Sequence, residues 1–266
     1  MNPLSLHHLT VLDAPAEALI DIAAATGCEQ VCVFVHSSAP ELNFPVIDRA
    51  SCAALRGRMR ATGVAVYNLE FFPITASTDF EVFARALRVG AELGGRRATA
   101  HIHDPDPDRA VEGFTRFCRL AAEFDLLVGL EFTAFSQCAS LAAAVRLVER
   151  ADQPNAALAV DALHLMRTGG SPSALAAIDP RWIGYAQICD GPANVAAELM
   201  IKEAITERRI PGEGVFPLRA ILGCIPGGVT IEVEVPQGSA RRQGLSALAR
   251  ARRAVGATRN LLTGGD

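Results

Sequence analysis

The sequence predicts an α/β fold, a single-domain (β/α)8 (TIM) barrel spanning residues 1–266, and three observations carry that expectation. Eight short β-branched or apolar runs alternate with longer stretches rich in alanine, leucine and arginine, and repeated βα units imply a parallel sheet. The 266 residues suit eight such units in one domain. No Gly/Ser/Pro-rich linker divides the chain, and no G-x-G-x-x-G or Walker-type loop follows any strand, so the rival doubly wound sheet lacks its nucleotide-binding signature.

The units follow in order. Leu4–His8 precedes a helix near Pro15–Ala25 that Gly27 should stop, and Gln30–His36 precedes Ile47–Thr62, stopped by Gly63. Val64–Glu70 leads to Phe80–Leu93, with Thr78-Asp79 placed to cap its start and Gly94-Gly95 to end it. Arg97–His103 leads to Asp108–Phe124, Leu127–Glu131 to Leu141–Ala151, and Ala157–Asp161 to Pro172–Ile178, where Ser171-Pro172 is a cap followed by proline at the first helical position. Trp182–Gln187 leads to Asn194–Thr206, and Val229–Val235 is the eighth strand. A helix near Pro217–Ile221 precedes that strand, and Arg241–Leu262 closes the chain.

Composition narrows the chemistry. Half the residues are hydrophobic and 20% are charged, which excludes a disordered chain. Lys202 is the sole lysine, so a Schiff-base mechanism would hang on one residue. The net charge of −4 and the scattered arginines give no basic stripe for nucleic acid. The cluster Arg241, Arg242, Arg250, Arg252 and Arg253 reads as the solvated face of a last helix rather than a phosphate-binding arm. No run of 18 apolar residues and no leader-like N-terminus are present, so neither membrane nor export is expected and a cytoplasmic location follows. The seven cysteines, Cys28, Cys32, Cys52, Cys118, Cys138, Cys189 and Cys224, form no C-x-x-C pair and read as small buried apolar residues.

Ligands of such barrels gather at the C-terminal ends of the strands. Here nearly every strand ends polar: His36, Glu70, His101 and His103, Glu131, Asp161 and His164, Gln187 and Asp190, Glu232 and Glu234. Carboxylates converging on one opening would repel one another without a cation, and a divalent metal resolves that repulsion. Asp161 and His164 form a strand-end D-x-x-H. Glu232 and Glu234 alternate with valine and isoleucine and share one face, with Glu234 nearer the mouth and preferred over Glu232. His101 and His103, at i and i+2, either chelate a metal or hydrogen-bond the substrate. Asp190 caps a helix or joins the site, Phe71 and Phe72 read as core, and Phe132 beside Glu131 is expected to wall the pocket.

These residues resemble the xylose-isomerase-like barrels, which include sugar and sugar-phosphate isomerases and epimerases and apurinic endonucleases. The resemblance spans essentially the whole chain and is most specific in GLEF with Glu131, VDALHLMRTGG with Asp161 and His164, QICD with Gln187 and Asp190, and RRIPGEGVFPL with Arg209. It implies one divalent metal held by Glu131, Asp161, Gln187 and Glu234, with His164 and Arg209 contacting substrate. Gln187 stands where the family more commonly has histidine, so the ligands are hard oxygen donors that favour Mg2+ or Mn2+, with Co2+ or Zn2+ as alternatives. The same glutamine is similar to the arrangement in bacterial 3-dehydroshikimate dehydratases and argues against the DNA-repair branch. The expected function is a metal-dependent isomerase or epimerase of a small hydroxy-carbonyl substrate through an enediolate. Glu131 and Glu234 are its proton-transfer groups, and His36, His101 and His103 stand beside the substrate. The alternatives are a dehydratase and a barrel that binds sugar or metal without turnover. A small-molecule partner and pairing of barrels into a homo-oligomer complete the expectation.

Overall fold

The computed structural model describes residues 2–37 and 43–264. Eight parallel strands close into a barrel in sequence order: β1 (Leu4–His7), β2 (Gln30–Phe34), β3 (Ala65–Ile74), β4 (Arg97–Ile102), β5 (Leu127–Glu131), β6 (Ala156–Asp161), β7 (Ile183–Ile188) and β8 (Ile231–Val233). β8 pairs with both β7 and β1, which leaves no free sheet edge.

The helices are α1 (Ala16–Thr26), α2 (Cys52–Thr62), α3 (Phe80–Glu92), α4 (Pro107–Ala122), α5 (Leu141–Ala151), α6 (Ala162–Arg167), α7 (Pro172–Ala176), α8 (Met200–Thr206), α9 (Leu218–Gly223), α10 (Gly238–Arg242) and α11 (Ala247–Thr263). Their boundaries have local causes. Asp79 accepts from Glu81 N, Asp106 from Asp108 N and Arg109 N, and Ser140, Ser171 and Ser246 each from a backbone N–H three residues on, so side-chain oxygens satisfy donors that a first helical turn leaves open. α1 and α2 end on Gly27 and Gly63 in the left-handed conformation.

Several boundaries differ from the sequence reading: α2 starts at Cys52 rather than Ile47, α8 at Met200 rather than Asn194, and β8 is confined to Ile231–Val233. β3 runs on to Ile74, because the apolar Phe71–Ile74 segment pairs with β4 after a register shift between Leu69 and Phe72. The C-terminal helical stretch is two helices, separated at Gly244, whose positive φ interrupts the run. A short helix, α6, begins directly on Asp161, where the sequence reading placed only the D-x-x-H block.

Alternation along the strands sends Val31, Val33, Val128, Leu130, Leu158, Val160, Ile231 and Val233 into the core. The barrel interior is polar. Ser5, Asn68, Thr99, Tyr185 and Glu232 are fully buried there. Tyr185 Oη meets Thr99 Oγ1 at 2.5 Å and accepts from Asn68 Nδ2 at 3.2 Å. Strand register then stacks the functional residues. Asp161 pairs with Gln187, Gln187 with Glu232, and His101 with Glu131, while Glu234 lies two residues closer to the mouth. Among the described residues no helix is long and apolar enough to cross a membrane.

Candidate active site

The C-terminal mouth of the barrel holds a cavity of about 170 Å³. Glu70, His101, His103, Glu131, His164, Arg208 and Glu234 supply its polar lining, and Phe34, Phe44, Phe71 and Phe135 supply much of the apolar wall. β5 delivers Glu131, which stands 2.5 Å from His101 Nε2 and 3.7 Å from His164 Nε2. Burial pushes the Glu131 carboxyl up, but His101 and His164 outweigh it and the net direction is down, so Glu131 is a carboxylate at neutral pH. Burial lowers His101, yet Glu131 beside it carries its pKa upward; His164, dominated by burial, is shifted down.

Asp161 ends β6 and caps α6. Its Oδ1 accepts from the backbone N–H of Leu163 (2.6 Å) and His164 (3.1 Å), which fixes the carboxylate and swings His164 toward the cavity. Its Oδ2 accepts from Arg208 Nη1 at 2.6 Å, and Arg208 Nη2 reaches Glu234 Oε1 at 2.7 Å. This guanidinium is 2% exposed. Of the two adjacent arginines it is Arg208, not Arg209, that enters the site. Arg209 is exposed and donates to Glu213 O, while its backbone exchanges hydrogen bonds with Asp190.

Below this level lies a second group. Glu70 accepts from His7 Nε2 at 2.7 Å, and Glu232 accepts from Ser5 Oγ at 2.9 Å and Asn68 Nδ2 at 3.2 Å. The Leu9 N–H donates to His7 Nδ1, which assigns the ring proton to Nε2. The surrounding carboxylates draw the His7 pKa up to about 10 against burial, and protonation of Nδ1 would sacrifice the Leu9 bond. Gln187 donates its amide to Glu70 Oε1 (3.2 Å) and Glu232 Oε1 (3.3 Å). These two acceptors orient the amide and leave Gln187 Oε1 buried with no donor among the described residues. Burial pushes Glu232 up to about 7 and Glu234 well above the ordinary carboxylate range.

A divalent cation fits this chemistry. Among the described residues Glu234 Oε2 and Gln187 Oε1 are buried acceptors with no donor, and Glu131, Asp161 and His164 present potential ligand atoms within 4.8 Å of one another. Glu70, Glu131, Asp161, Glu232 and Glu234 outnumber the cations by two even when His7 and His101 are counted as protonated beside Arg208. Protons on carboxyls or a doubly charged ion can answer that surplus.

The remaining sequence-predicted residues are placed as follows. His103 lines the cavity and stacks on His101 at 6.2 Å. His36 Nδ1 donates to Phe71 O at 3.0 Å, and the ring lies in the neighbouring groove with His103 rather than in the cavity itself. Phe132 is fully buried core and does not wall the pocket, since it follows the inward Glu131 and strand alternation turns it away; Phe71 and Phe135 take that place. Asp190 is buried and accepts four backbone N–H groups, from Gly191, Gly212, Gly214 and Phe216, which ties down the Pro211–Gly214 turn. The sequence reading missed the roles of His7 and Arg208. Arg208 was signalled only by lying next to Arg209, and His7 only by lying near the end of the first expected strand.

The family model for xylose isomerase-like TIM barrels matches residues 20–255. The chain belongs to the xylose isomerase-like TIM barrel family. This xylose isomerase-like barrel is similar in structure to the IolI protein with a binding zinc atom, at 16% identity and a TM-score of 0.80 over 99% of both chains. It is similar to a xylose isomerase domain protein from Alicyclobacillus acidocaldarius subsp. acidocaldarius at 24% identity and TM-score 0.73, again over 99% of both chains. D-psicose 3-epimerase in the presence of D-fructose follows at 16% identity and TM-score 0.71, over 99% of this chain and 100% of that one. At these identities the likeness shows the shared barrel, and the zinc and the sugar belong to those proteins. No curated protein matches the sequence.

Proposed function

We propose that the protein is a divalent-metal-dependent isomerase or epimerase of a small hydroxy-carbonyl compound such as a ketose. The observation that carries this reading is the position of Glu131, at the end of β5, and Glu234, just after β8, on one small cavity with His164 and Arg208 beside them. Glu131, Asp161, Gln187 and Glu234 would hold the ion, with Mg2+ or Mn2+ suiting their oxygen donors. When bound, such an ion polarises a carbonyl and stabilises an enediolate.

The protein's own residues define the proton path. Glu131, held ionised by His101 and His164, removes the proton next to the substrate carbonyl. Glu234, just after β8, whose buried carboxyl is biased toward its protonated form, gives its own proton to the opposite face while the abstracted proton stays on Glu131, which inverts the carbon and gives epimerisation; return by Glu131 alone gives aldose–ketose transfer. His164 and Arg208 orient substrate oxygens, and Phe34, Phe44, Phe71 and Phe135 pack on its C–H face and exclude water.

Gln187 favours one further reading, dehydration, in which the same proton abstraction is followed by loss of a β-hydroxyl and His101 or His103 protonates the leaving group. The purified protein, supplied with Mn2+ and offered a panel of ketoses and 3-dehydroshikimate, separates the readings. Mass-conserving interconversion supports the isomerase, a water-loss product absorbing in the ultraviolet supports the dehydratase, and turnover undiminished in Glu131→Gln contradicts both.

A further inference from the structure

We propose that Arg208 is a built-in counter-ion that competes with the divalent cation for Asp161 and Glu234, so that cation binding releases its guanidinium toward the substrate cavity. This rests on the metal-dependent reading above and adds a control on how the ion is taken up. Arg208 bridges the two carboxylates at 2.6 and 2.7 Å with its side chain 2% exposed, and its Nε is held by Ala204 O at 2.8 Å. Both oxygens of Asp161 are thereby engaged, Oδ1 by two backbone N–H groups and Oδ2 by the arginine. Glu234 Oε2 has no partner among the described residues.

The geometry decides between two roles for the arginine. If it served to position the ligands, its removal would weaken cation binding, as loss of supporting contacts does at metal sites. Asp161, however, is fixed by the N-terminus of α6 whether or not Arg208 is present. At Asp161 the arginine therefore contributes charge more than placement, and at Glu234, whose Oε1 it holds, the two roles are what the titration separates. A full positive charge in contact with two carboxylates opposes a divalent ion drawn to the same pair, and with no solvent around it the opposition is weakly screened. Arg208 also lines the cavity, so a guanidinium freed from Asp161 has the substrate volume to turn into, where its planar fork suits a carboxylate, a phosphate or an enediolate oxygen. By linkage, cation and substrate then favour each other's binding.

Calorimetric titration of Mn2+ into the metal-stripped wild type, Arg208→Gln and Arg208→Lys tests this. Removal of the charge in Arg208→Gln should tighten Mn2+ binding about tenfold or more. Arg208→Lys, which keeps a charge but lacks the fork that spans both carboxylates, should tighten it less. Without metal, Arg208→Gln should melt below the wild type and gain more from added Mn2+. Equal or weaker binding by Arg208→Gln overturns the proposal and assigns Arg208 as a positioning residue. If Arg208→Gln does not fold, Arg208→Lys decides, with equal or weaker binding again overturning it. Wild type and variants that all fail to bind Mn2+ remove the metal-dependent reading and this inference together.

Discussion

Replacement of Asp190 by asparagine probes how the site is scaffolded. The Asp190 carboxylate accepts from Gly191 N at 2.8 Å and Phe216 N at 3.0 Å on one oxygen, and from Gly212 N and Gly214 N, both at 3.0 Å, on the other. An asparagine oxygen can keep one pair, but its NH2 then faces the N–H groups of the other pair, donor against donor. Hydrogen bonds to a charged acceptor contribute about 1.5–3 kcal/mol each; two lost, discounted because Gly212 is exposed, give an expected destabilisation of about 2–4 kcal/mol. In a chain of this length that corresponds to a fall in Tm of roughly 5–15 °C. The Gly214 position leaves little room for relaxation, since a Cβ there would lie 2.1 Å from Asp190 Oδ1 and 2.4 Å from Gly191 O. Urea denaturation of wild type and Asp190→Asn, with Mn2+ affinity measured in parallel, gives the answer. A stability change below about 0.5 kcal/mol, or loss of Mn2+ with stability intact, would refute the reasoning and make Asp190 a ligand rather than a scaffold.

Other outcomes follow from the same contacts. Glu131→Gln should lower kcat by about 10²–10⁴ with little change in fold, as steady-state kinetics and circular dichroism would show. Arg209→Ala, at an exposed side chain outside the cavity, should leave stability within about 0.5 kcal/mol. Gly90→Ala should destabilise by about 1–3 kcal/mol in urea, because the new Cβ would meet Leu69 Cδ1 at 2.1 Å. The folded pKa of His101 is raised, so the stability from its pairing with Glu131 is fully present below the unfolded value of 6.5 and is lost as pH rises through the folded value. The stability advantage of wild type over His101→Gln should therefore be largest in mild acid and shrink as the solution is made alkaline.

The barrel was legible because its signals are local and repeated: apolar runs, capping residues such as Asp79 and Ser171, and glycines such as Gly27 that end helices. The strand-end acids and histidines were legible for the same reason, since chain direction in a parallel barrel brings those ends together. What the sequence could not resolve depends on long-range geometry. Arg208 and Arg209 are neighbours, and the choice between them is made by the backbone bridge of Arg209 to Asp190, which turns Arg209 outward and Arg208 inward. His7 finds Glu70 across 63 residues, a pairing no local pattern encodes. Phe71 reaches the cavity although Glu70 does too, because the register shift in β3 breaks strict alternation. Phe132, by contrast, obeys alternation and belongs to the core. Glu232 and Glu234 share one face, and the rise of the chain over two residues separates them, one in the lower layer bonded to Ser5 and Asn68 and one at the cavity.

The central proposal is that Glu131, Asp161, Gln187 and Glu234 would hold one divalent cation. Mn2+ titration of the metal-stripped wild type beside Glu131→Gln, Gln187→Ala and Glu234→Gln tests it most directly. One ion per chain in the wild type, with affinity reduced in every variant, is the predicted result. No binding by the wild type, or binding that none of the three substitutions weakens, would contradict it.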